Sequence, residues 1–239
     1  MNFPRFVLTA LVVFLVLFAG VMLFGGRIVM ANLPQDKPRD YVFVFITTGE
    51  ATDLTPDEQR EAFGGHFSNM RRMAAAGDLL IAGPFGPPLA KPDHRGLFVF
   101  DAETIEEGMA HAETDPTYQA GVFKLTPHLL TTDEPLTKLH ELDMKALEEL
   151  GENPPPGANA RAYVLASASF DEKLYEQASK AEGVLIVARL HGSGEDESDE
   201  ILLWLDAENE DAAKEITSGL GDEWTLHGWY GSKAIGLLD

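Results

Sequence analysis

Two residues in the first half of the chain have side chains that could move a proton, namely His66 and Asp115. A neutral imidazole near pH 7 can accept and return a proton, and a carboxylate beside it would orient the ring. His66 lies on a predicted helix, where Gly64-Gly65 would let a ligand or a strand approach closely. A structural interpretation stays open, in which His66 forms a hydrogen bond in the core and Asp115 caps the turn begun by Pro116.

A second group of residues lies between these two along the chain and is predicted to form the rim of a pocket. Gly83 and Pro84 follow a short apolar run, and Asp93 and Arg95 lie in the Gly- and Pro-rich stretch after it. Glycine and proline are typical of loops, so this stretch is expected to leave the sheet at Gly83-Pro84. The alternative is that the charged residues belong to a solvated turn.

Six elements are predicted between residues 41 and 132, in the order βαββαβ of a ferredoxin-like unit. The first helix has a capping-box pattern, with Thr55 followed by Glu58, and is expected to end at Gly77. The strand over 41–46 is apolar on both alternating faces and should therefore be covered on both sides. The predicted strands are 41–46, 79–82, 97–100 and 122–125, and the predicted helices are 55–76 and 102–112.

The second half of the chain, residues 161–239, repeats this order. Asp-Ala-Glu follows the third predicted strand in both halves, at 101–103 and at 206–208. A βαββαβ unit has helices on only one face of its sheet, so the other face must be buried elsewhere. Two such units in one chain would cover each other. The sequence therefore predicts an α+β fold in which two ferredoxin-like units form one pseudo-dimeric barrel.

Residues 133–160 join the two predicted domains. The pattern over 133–150 is that of an acidic amphipathic helix. The sequence ENPPPGANA over 152–160 has the composition of a linker. The predicted organisation is thus a domain at 41–132, a helix and Pro-rich linker at 133–160, and a second domain at 161–239.

The first domain resembles the YCII-related (YciI-like) family of the dimeric α+β barrel superfamily over residues 40–132. The resemblance implies a barrel of two ferredoxin-like units and a site built around His66 and Asp115. It implies no particular reaction, since the superfamily includes lactone isomerases, monooxygenases and haem enzymes. The residues that carry it are His66 eleven positions before Gly77, Leu80-Ile81-Ala82-Gly83-Pro84, Gly96, and Asp115-Pro116 followed by Gly121.

The second domain departs from this pattern at the site positions. Glu172 stands eleven residues before Gly183, and Leu220-Gly221 replaces the Asp-Pro pair. Arg189-Leu190 replaces the Gly-Pro pair after the second strand. We therefore expect a site in the first domain only, with the second domain taking the place of a partner subunit.

The composition bounds the classes of partner. The chain has 18 basic and 39 acidic residues, a formal net charge of −21, which should repel nucleic acids. It has no cysteine, and its histidines show no metal-ligand spacing, so neither a metal nor a cofactor is predicted. The expected partners are a small molecule and, alternatively, another protein of the cell envelope.

The N-terminus carries an uncharged apolar segment at residues 6–24. Nineteen residues nearly cross a hydrocarbon core of about 30 Å, which predicts a membrane anchor within residues 1–31. A signal peptide cut after Ala31 is the alternative. Residues 32–40 would then form a tether. Both interpretations predict an anchored or exported protein whose body is periplasmic or otherwise extracytoplasmic.

Two functions remain open from the sequence. In the first, the protein binds a small molecule or a partner at the His66 and Asp115 site without a defined reaction. In the second, it is an isomerase- or lactonase-like enzyme in which His66 is the general acid or base and Asp115 orients it. An enzyme would need the two side chains within about 3 Å of each other or bridged by one water.

Overall fold

The computed structural model describes residues 38–151, 155, 157–194, 197–221 and 223–238. The predicted apolar segment at 6–24 and the predicted cleavage site at Ala31 lie outside the described residues. Within the described ranges, no helix is both long enough and apolar enough to span a membrane.

The first half contains four strands and three helices in the order β1, α1, β2, β3, α2, α3, β4. Its sheet has the strand order β4-β1-β3-β2, which is that of a ferredoxin-like unit. The bounds are β1 Arg39–Thr48, α1 Pro56–Ala76, β2 Leu79–Gly86, β3 His94–Phe100, α2 Ile105–Ala112, α3 Pro116–Gln119 and β4 Phe123–Thr132.

The helix α4, Lys138–Leu150, follows the first half, and the second half then repeats the order of the four strands, with a first helix of 7 residues where α1 has 21. Its sheet has the order β8-β5-β7-β6. The bounds are β5 Ala160–Ser169, α5 Glu172–Ala178, β6 Val184–Leu190, β7 Glu200–Leu205, α6 Glu210–Ser218 and β8 Thr225–Ser232, followed by a 3₁₀ helix at Lys233–Leu237.

The two sheets close into one antiparallel barrel of eight strands. One seam joins β2 to β8 and pairs Phe85 with Trp229. The other joins β4 to β6 and pairs Leu130 with Leu190. The prediction of a barrel made from two ferredoxin-like units within one chain is therefore confirmed.

Alternate residues of the strands fill two kinds of core. Inside the barrel, Phe43 of the first half and Trp204 and Trp229 of the second belong to one cluster of buried side chains. On the outside of the first sheet, Val42 packs in a second cluster that includes Met73 of α1. Since β1 contributes to both clusters, it is covered on both faces, as its sequence indicates.

The first helix begins and ends where its sequence indicates. The Thr55 hydroxyl accepts a hydrogen bond from the Glu58 backbone, and the Glu58 carboxylate accepts one from the Thr55 backbone at 2.8 Å. Gly77 ends the helix with a φ of +83°, a conformation that glycine adopts without steric cost. The capping box fixes where α1 begins, and therefore which of its residues face the sheet.

The strands around the predicted loop are longer than the sequence indicates. β2 continues through Pro84 to Gly86 and β3 begins at His94, so the expected loop over Gly83-Pro84 is wrong. Pro84 lies opposite Gly96 in the ladder between β2 and β3. Pairing with neighbours on both sides keeps this segment extended despite its local preference for a turn.

Candidate functional site

His66 lies on the face of α1 that packs against the sheet. Ala62, His66 and Met73 are the buried residues of this helix, and their spacing of four and seven positions places them on one side. His66 is 8% exposed, so the helix brings a titratable ring to the outer surface of the barrel sheet and encloses it there.

Asp115 lies at the start of the short helix α3, next to α1. Its Oδ1 atom accepts hydrogen bonds from the backbone N–H of Thr117 at 2.9 Å and from the Thr117 hydroxyl at 2.6 Å. This is the N-cap arrangement expected of an aspartate before Pro116, and Asp115 is 1% exposed. The cap leaves the second carboxylate oxygen, Oδ2, available to another partner.

That partner is His66, whose Nδ1 atom lies 2.6 Å from Oδ2 of Asp115. A carboxylate oxygen can only accept, so Nδ1 carries the proton and, in the neutral ring, Nε2 has the free lone pair. Among the described residues, Nε2 has no hydrogen-bond partner. Asp115 therefore caps α3 with one carboxylate oxygen and contacts His66 with the other, so the structural and the functional interpretation are compatible.

The protonation of Asp115 is set by opposing effects. Burial would raise the pKa of this carboxyl, but the hydrogen bonds from His66 and Thr117 outweigh it and hold the pKa below its ordinary value. The carboxylate is therefore ionised at neutral pH and can stabilise a positive charge on the imidazole.

The His66 ring forms part of the wall of a cavity of about 200 Å³, which we call the His66 cavity. Phe67, Phe98 and Phe123 have ring centroids within 5.2 to 6.1 Å of the imidazole. Apart from His66 and Arg95, every lining residue has an apolar side chain or none. The lining residues are Ile46, Phe63, His66, Phe67, Met70, Gly83, Pro84, Arg95, Gly96, Phe98 and Phe123.

Three of the four predicted rim residues line this cavity, namely Gly83, Pro84 and Arg95. The fourth, Asp93, does not line it. Asp93 is exposed, and its backbone carbonyl accepts a hydrogen bond from the Thr48 backbone at 3.0 Å. The rim therefore comes from the ends of β2 and β3 rather than from the turn between them.

Two contributions to the site were missing from the sequence-based prediction. Thr117 holds the carboxylate of Asp115, and its position two residues after an aspartate is a recognisable signal. Phe63 and Phe67 flank His66 on α1 and contribute to the same wall. Their positions three before and one after the histidine are the signal for them in the sequence.

At the positions that correspond to His66 and Asp115, the described residues of the second half hold no such pair. Its first helix, α5, has 7 residues where α1 has 21, and Glu172 begins it. Between α6 and β8, the described residues include no helix corresponding to α3. The two halves therefore share a sheet topology but differ in the elements that carry His66 and Asp115.

Other histidines cluster at one end of the barrel. His94 and His227 stack with their ring centroids 5.7 Å apart, and Nδ1 of each is buried without a hydrogen-bond partner among the described residues. His94 also lines a separate cavity of about 380 Å³, with Lys91 and His128. In the described part of the chain, no three His, Asp or Glu side chains are grouped so that they could hold a metal ion.

No family model and no curated protein matches this chain. Several solved structures are similar to it. TA0507, assigned as a chlorite dismutase, has 12% identity and a TM-score of 0.49, covering 84% of this chain and 99% of its own. The siroheme decarboxylase NirDL has 10% identity and a TM-score of 0.41, with coverage of 81% and 71%. A Lactobacillus acidophilus NCFM protein assigned as a monooxygenase has 10% identity and a TM-score of 0.41, with coverage of 81% and 93%.

Proposed function

We propose that the protein binds a small molecule in the His66 cavity and that His66 exchanges a proton with it. The observation that carries this proposal is the 2.6 Å contact between His66 Nδ1 and Asp115 Oδ2 at the wall of an otherwise apolar cavity. The carboxylate of Asp115, held by two further hydrogen bonds from Thr117, keeps the proton on Nδ1 of His66 and leaves Nε2 as the proton acceptor. This arrangement suits a general acid or base.

The proposed step is a reversible proton transfer. Nε2 takes a proton from an acidic C–H or O–H bond of the ligand, and the bonding electron pair stays on the ligand. The imidazolium so formed is stabilised by the Asp115 carboxylate. Nε2 then returns the proton to the same atom or to another one, which in the second case gives an isomer. No electrons leave the ligand, so the step needs no oxidant or reductant.

The apolar wall supports this chemistry. The phenylalanine rings around the buried imidazole form surroundings of low polarity, in which the attraction between His66 and Asp115 strengthens. The same wall favours a ligand with an apolar body. A site of this composition would bind apolar ligands even in the absence of a reaction, so binding and proton transfer need separate tests.

We also infer that the chain is a YCII-like protein of two domains, at 41–132 and 161–239, joined by 133–160. The order of elements in each half and the residues Leu80 to Pro84 with Asp115-Pro116 support this inference. The uncharged composition of residues 6–24 supports an anchored or exported protein. The proposed site then faces the compartment in which the body lies.

Deuterium exchange tests the proton transfer directly. Full-length protein is incubated in D₂O with small lactones and ketones that carry acidic C–H bonds, and the loss of ligand proton signals is followed by NMR. We expect exchange that His66→Gln lowers at least 100-fold and Asp115→Asn lowers at least tenfold. Binding near His66 is followed in the same samples by its imidazole resonances.

The possible results separate the two functions. If ligands shift the His66 resonances but exchange no proton, the protein binds them without catalysis, and the proposed proton transfer is wrong. Exchange that is unchanged in His66→Gln would remove His66 from the reaction. If neither the lactones nor the ketones shift the His66 resonances, the proposal of a ligand site in this cavity is wrong.

A further inference from the structure

Arg95 is the one residue with a cationic side chain among those that line the His66 cavity. It is exposed and yet contributes to the lining, so it lies at the mouth of the cavity, where solvent and the apolar wall meet. His66 and Arg95 are the only polar side chains in this lining. A ligand in the cavity therefore meets a proton acceptor on the wall and a positive charge at the entrance.

Among the described residues, the guanidinium of Arg95 has a single hydrogen-bond partner. One of its five N–H groups donates to the backbone carbonyl of Pro92 at 3.1 Å. No carboxylate of the described residues lies within 4.0 Å of it. The chain has 39 acidic residues, so a shortage of carboxylates does not explain why this arginine pairs with none of those described.

The other described arginines find side-chain partners. Four of them pair with carboxylates, and Arg71 and Arg72 donate to Ser68 and Asn69 on their own helix. The four carboxylate pairs are Arg39 with Asp101, Arg60 with Asp57, Arg161 with Asp206, and Arg189 with Asp199. Arg95 is the described arginine whose guanidinium bonds to no side chain. It also lies at the site.

We propose that the ligand of the His66 cavity is a small carboxylate with an aromatic or alicyclic body, and that Arg95 binds its carboxylate group. The planar fork of a guanidinium matches the two oxygens of a carboxylate. An apolar cavity of about 150 Å³ holds a benzene ring, so about 200 Å³ admits one ring with a short substituent. This inference rests on the proposed function, because it specifies the ligand of that same site.

The arrangement gives the ligand one orientation. With the carboxylate at Arg95, the ring lies against Phe98 and Phe123, and the far end of the molecule faces His66. The proton that His66 exchanges is then on a carbon or oxygen remote from the carboxylate. The net charge of −21 makes other parts of the surface unfavourable for an anion, so Arg95 would also select where such a ligand binds.

Matched pairs of probes test the substrate class. Small aromatic and alicyclic carboxylates are compared with their neutral amides, starting with phenylacetate and phenylacetamide. Binding to the full-length chain is measured from the Met70 methyl and His66 imidazole resonances. We expect each carboxylate that binds to do so at least tenfold more tightly than its amide. Arg95→Gln should abolish this preference, and Arg95→Lys should retain part of it.

Arg71→Gln is the matched control, since it removes an exposed arginine near the site that does not line the cavity. It should leave the preference for carboxylates intact. Amides that bind as tightly as carboxylates, or a preference that survives Arg95→Gln, would overturn the role of Arg95 while the His66 cavity stays a ligand site. If no carboxylate of the panel shifts the Met70 or His66 resonances, the substrate class is wrong, and the exchange experiment with neutral lactones and ketones decides the proposed function separately.

Discussion

Gly65 of α1 packs directly against Pro116 of α3. A Cβ atom placed on Gly65 would lie 2.7 Å from Cγ of that proline, closer than van der Waals contact allows. The missing side chain lets the two helices approach, and this approach brings Asp115 to His66. The sequence indicates a close neighbour for this glycine, and the neighbour is a proline ring rather than a strand or a ligand.

Gly65→Ala should therefore loosen the His66–Asp115 contact. Alanine favours a helix over glycine by about 1 kcal/mol, but here the clash with Pro116 should offset that gain. We expect lower stability in urea and altered imidazole ¹⁵N resonances of His66. Gly64→Ala is the control, because a Cβ there meets no atom within 4 Å, and it should stabilise the protein. Identical behaviour of the two variants would contradict the packing argument.

Asp115 should contribute a pH-dependent part of the stability. Its pKa is lower in the folded protein than the ordinary value of 3.8, so folding favours the ionised form. This contribution is fully present above about pH 4 and is lost as the pH falls through the folded pKa. The Asp115→Asn variant should lack this contribution. The slopes of unfolding free energy against pH should then differ between wild type and variant by at most about 1.4 kcal/mol per pH unit.

Urea unfolding between pH 2.5 and 6 measures this difference. Asp93→Asn provides the control, because Asp93 is exposed and its side chain accepts no hydrogen bond in the described structure. If the unfolding free energy falls equally with decreasing pH in wild type and in Asp115→Asn, the hydrogen bonds from His66 and Thr117 do not hold this carboxylate ionised.

His227 should destabilise the barrel in mild acid. Burial, aided by His94 and Lys91, lowers the pKa of His227 from 6.5 to about 4. Between these values the unfolded chain takes up a proton that the folded chain does not, so stability falls as the pH decreases from 6.5 to 4. The loss of unfolding free energy attributable to this one residue is at most about 3.4 kcal/mol.

His227→Phe should flatten this pH dependence, since phenylalanine neither titrates nor leaves an unpartnered Nδ1. Thermal unfolding at pH 7, 5.5 and 4 gives the comparison, with the more exposed His140→Gln as the control. A wild-type slope retained in His227→Phe would assign the acid sensitivity to another group.

Gly83 should be intolerant of any side chain. A Cβ at this position would lie 1.8 Å from the backbone carbonyl oxygen of Tyr230 and 2.9 Å from the Trp229 ring. Gly83→Ala therefore pushes β2 away from β8 at the seam between the halves, at a cost of about 3 kcal/mol in unfolding free energy. Gly86→Ala, whose Cβ would meet the Tyr230 ring at 3.8 Å, should be nearly neutral in the same urea titration.

The order of elements could be predicted because its signals are local. The capping box at Thr55, the glycine at the end of α1 and the apolar strands each depend on a few neighbouring residues. The extent of β2 could not be predicted in this way. Pro84 and Gly86 favour a turn locally, and only pairing with β3 and β8 keeps them extended, which is a property of the closed barrel.

The two polar residues of the candidate site could be predicted, whereas most of the apolar wall around them could not. His66 and Asp115 lie 49 positions apart, and a family resemblance rather than periodicity placed them together. The phenylalanine wall arises because side chains of α1, β3 and β4 meet around His66, and a single sequence does not specify that packing. Asp93 was grouped with Arg95 by proximity along the chain, but its side chain does not line the cavity.

Because one chain carries both halves of the barrel, the sequences of the two halves can change independently of each other. In a barrel of two identical subunits, each substitution occurs twice, so a change that suits the scaffold also alters both sites. Here a substitution alters one half alone. The short α5 and the absence of an α3 counterpart in the described second half are differences that only such independence permits. One half is free to specialise in supporting the structure, while the other keeps its histidine and aspartate together.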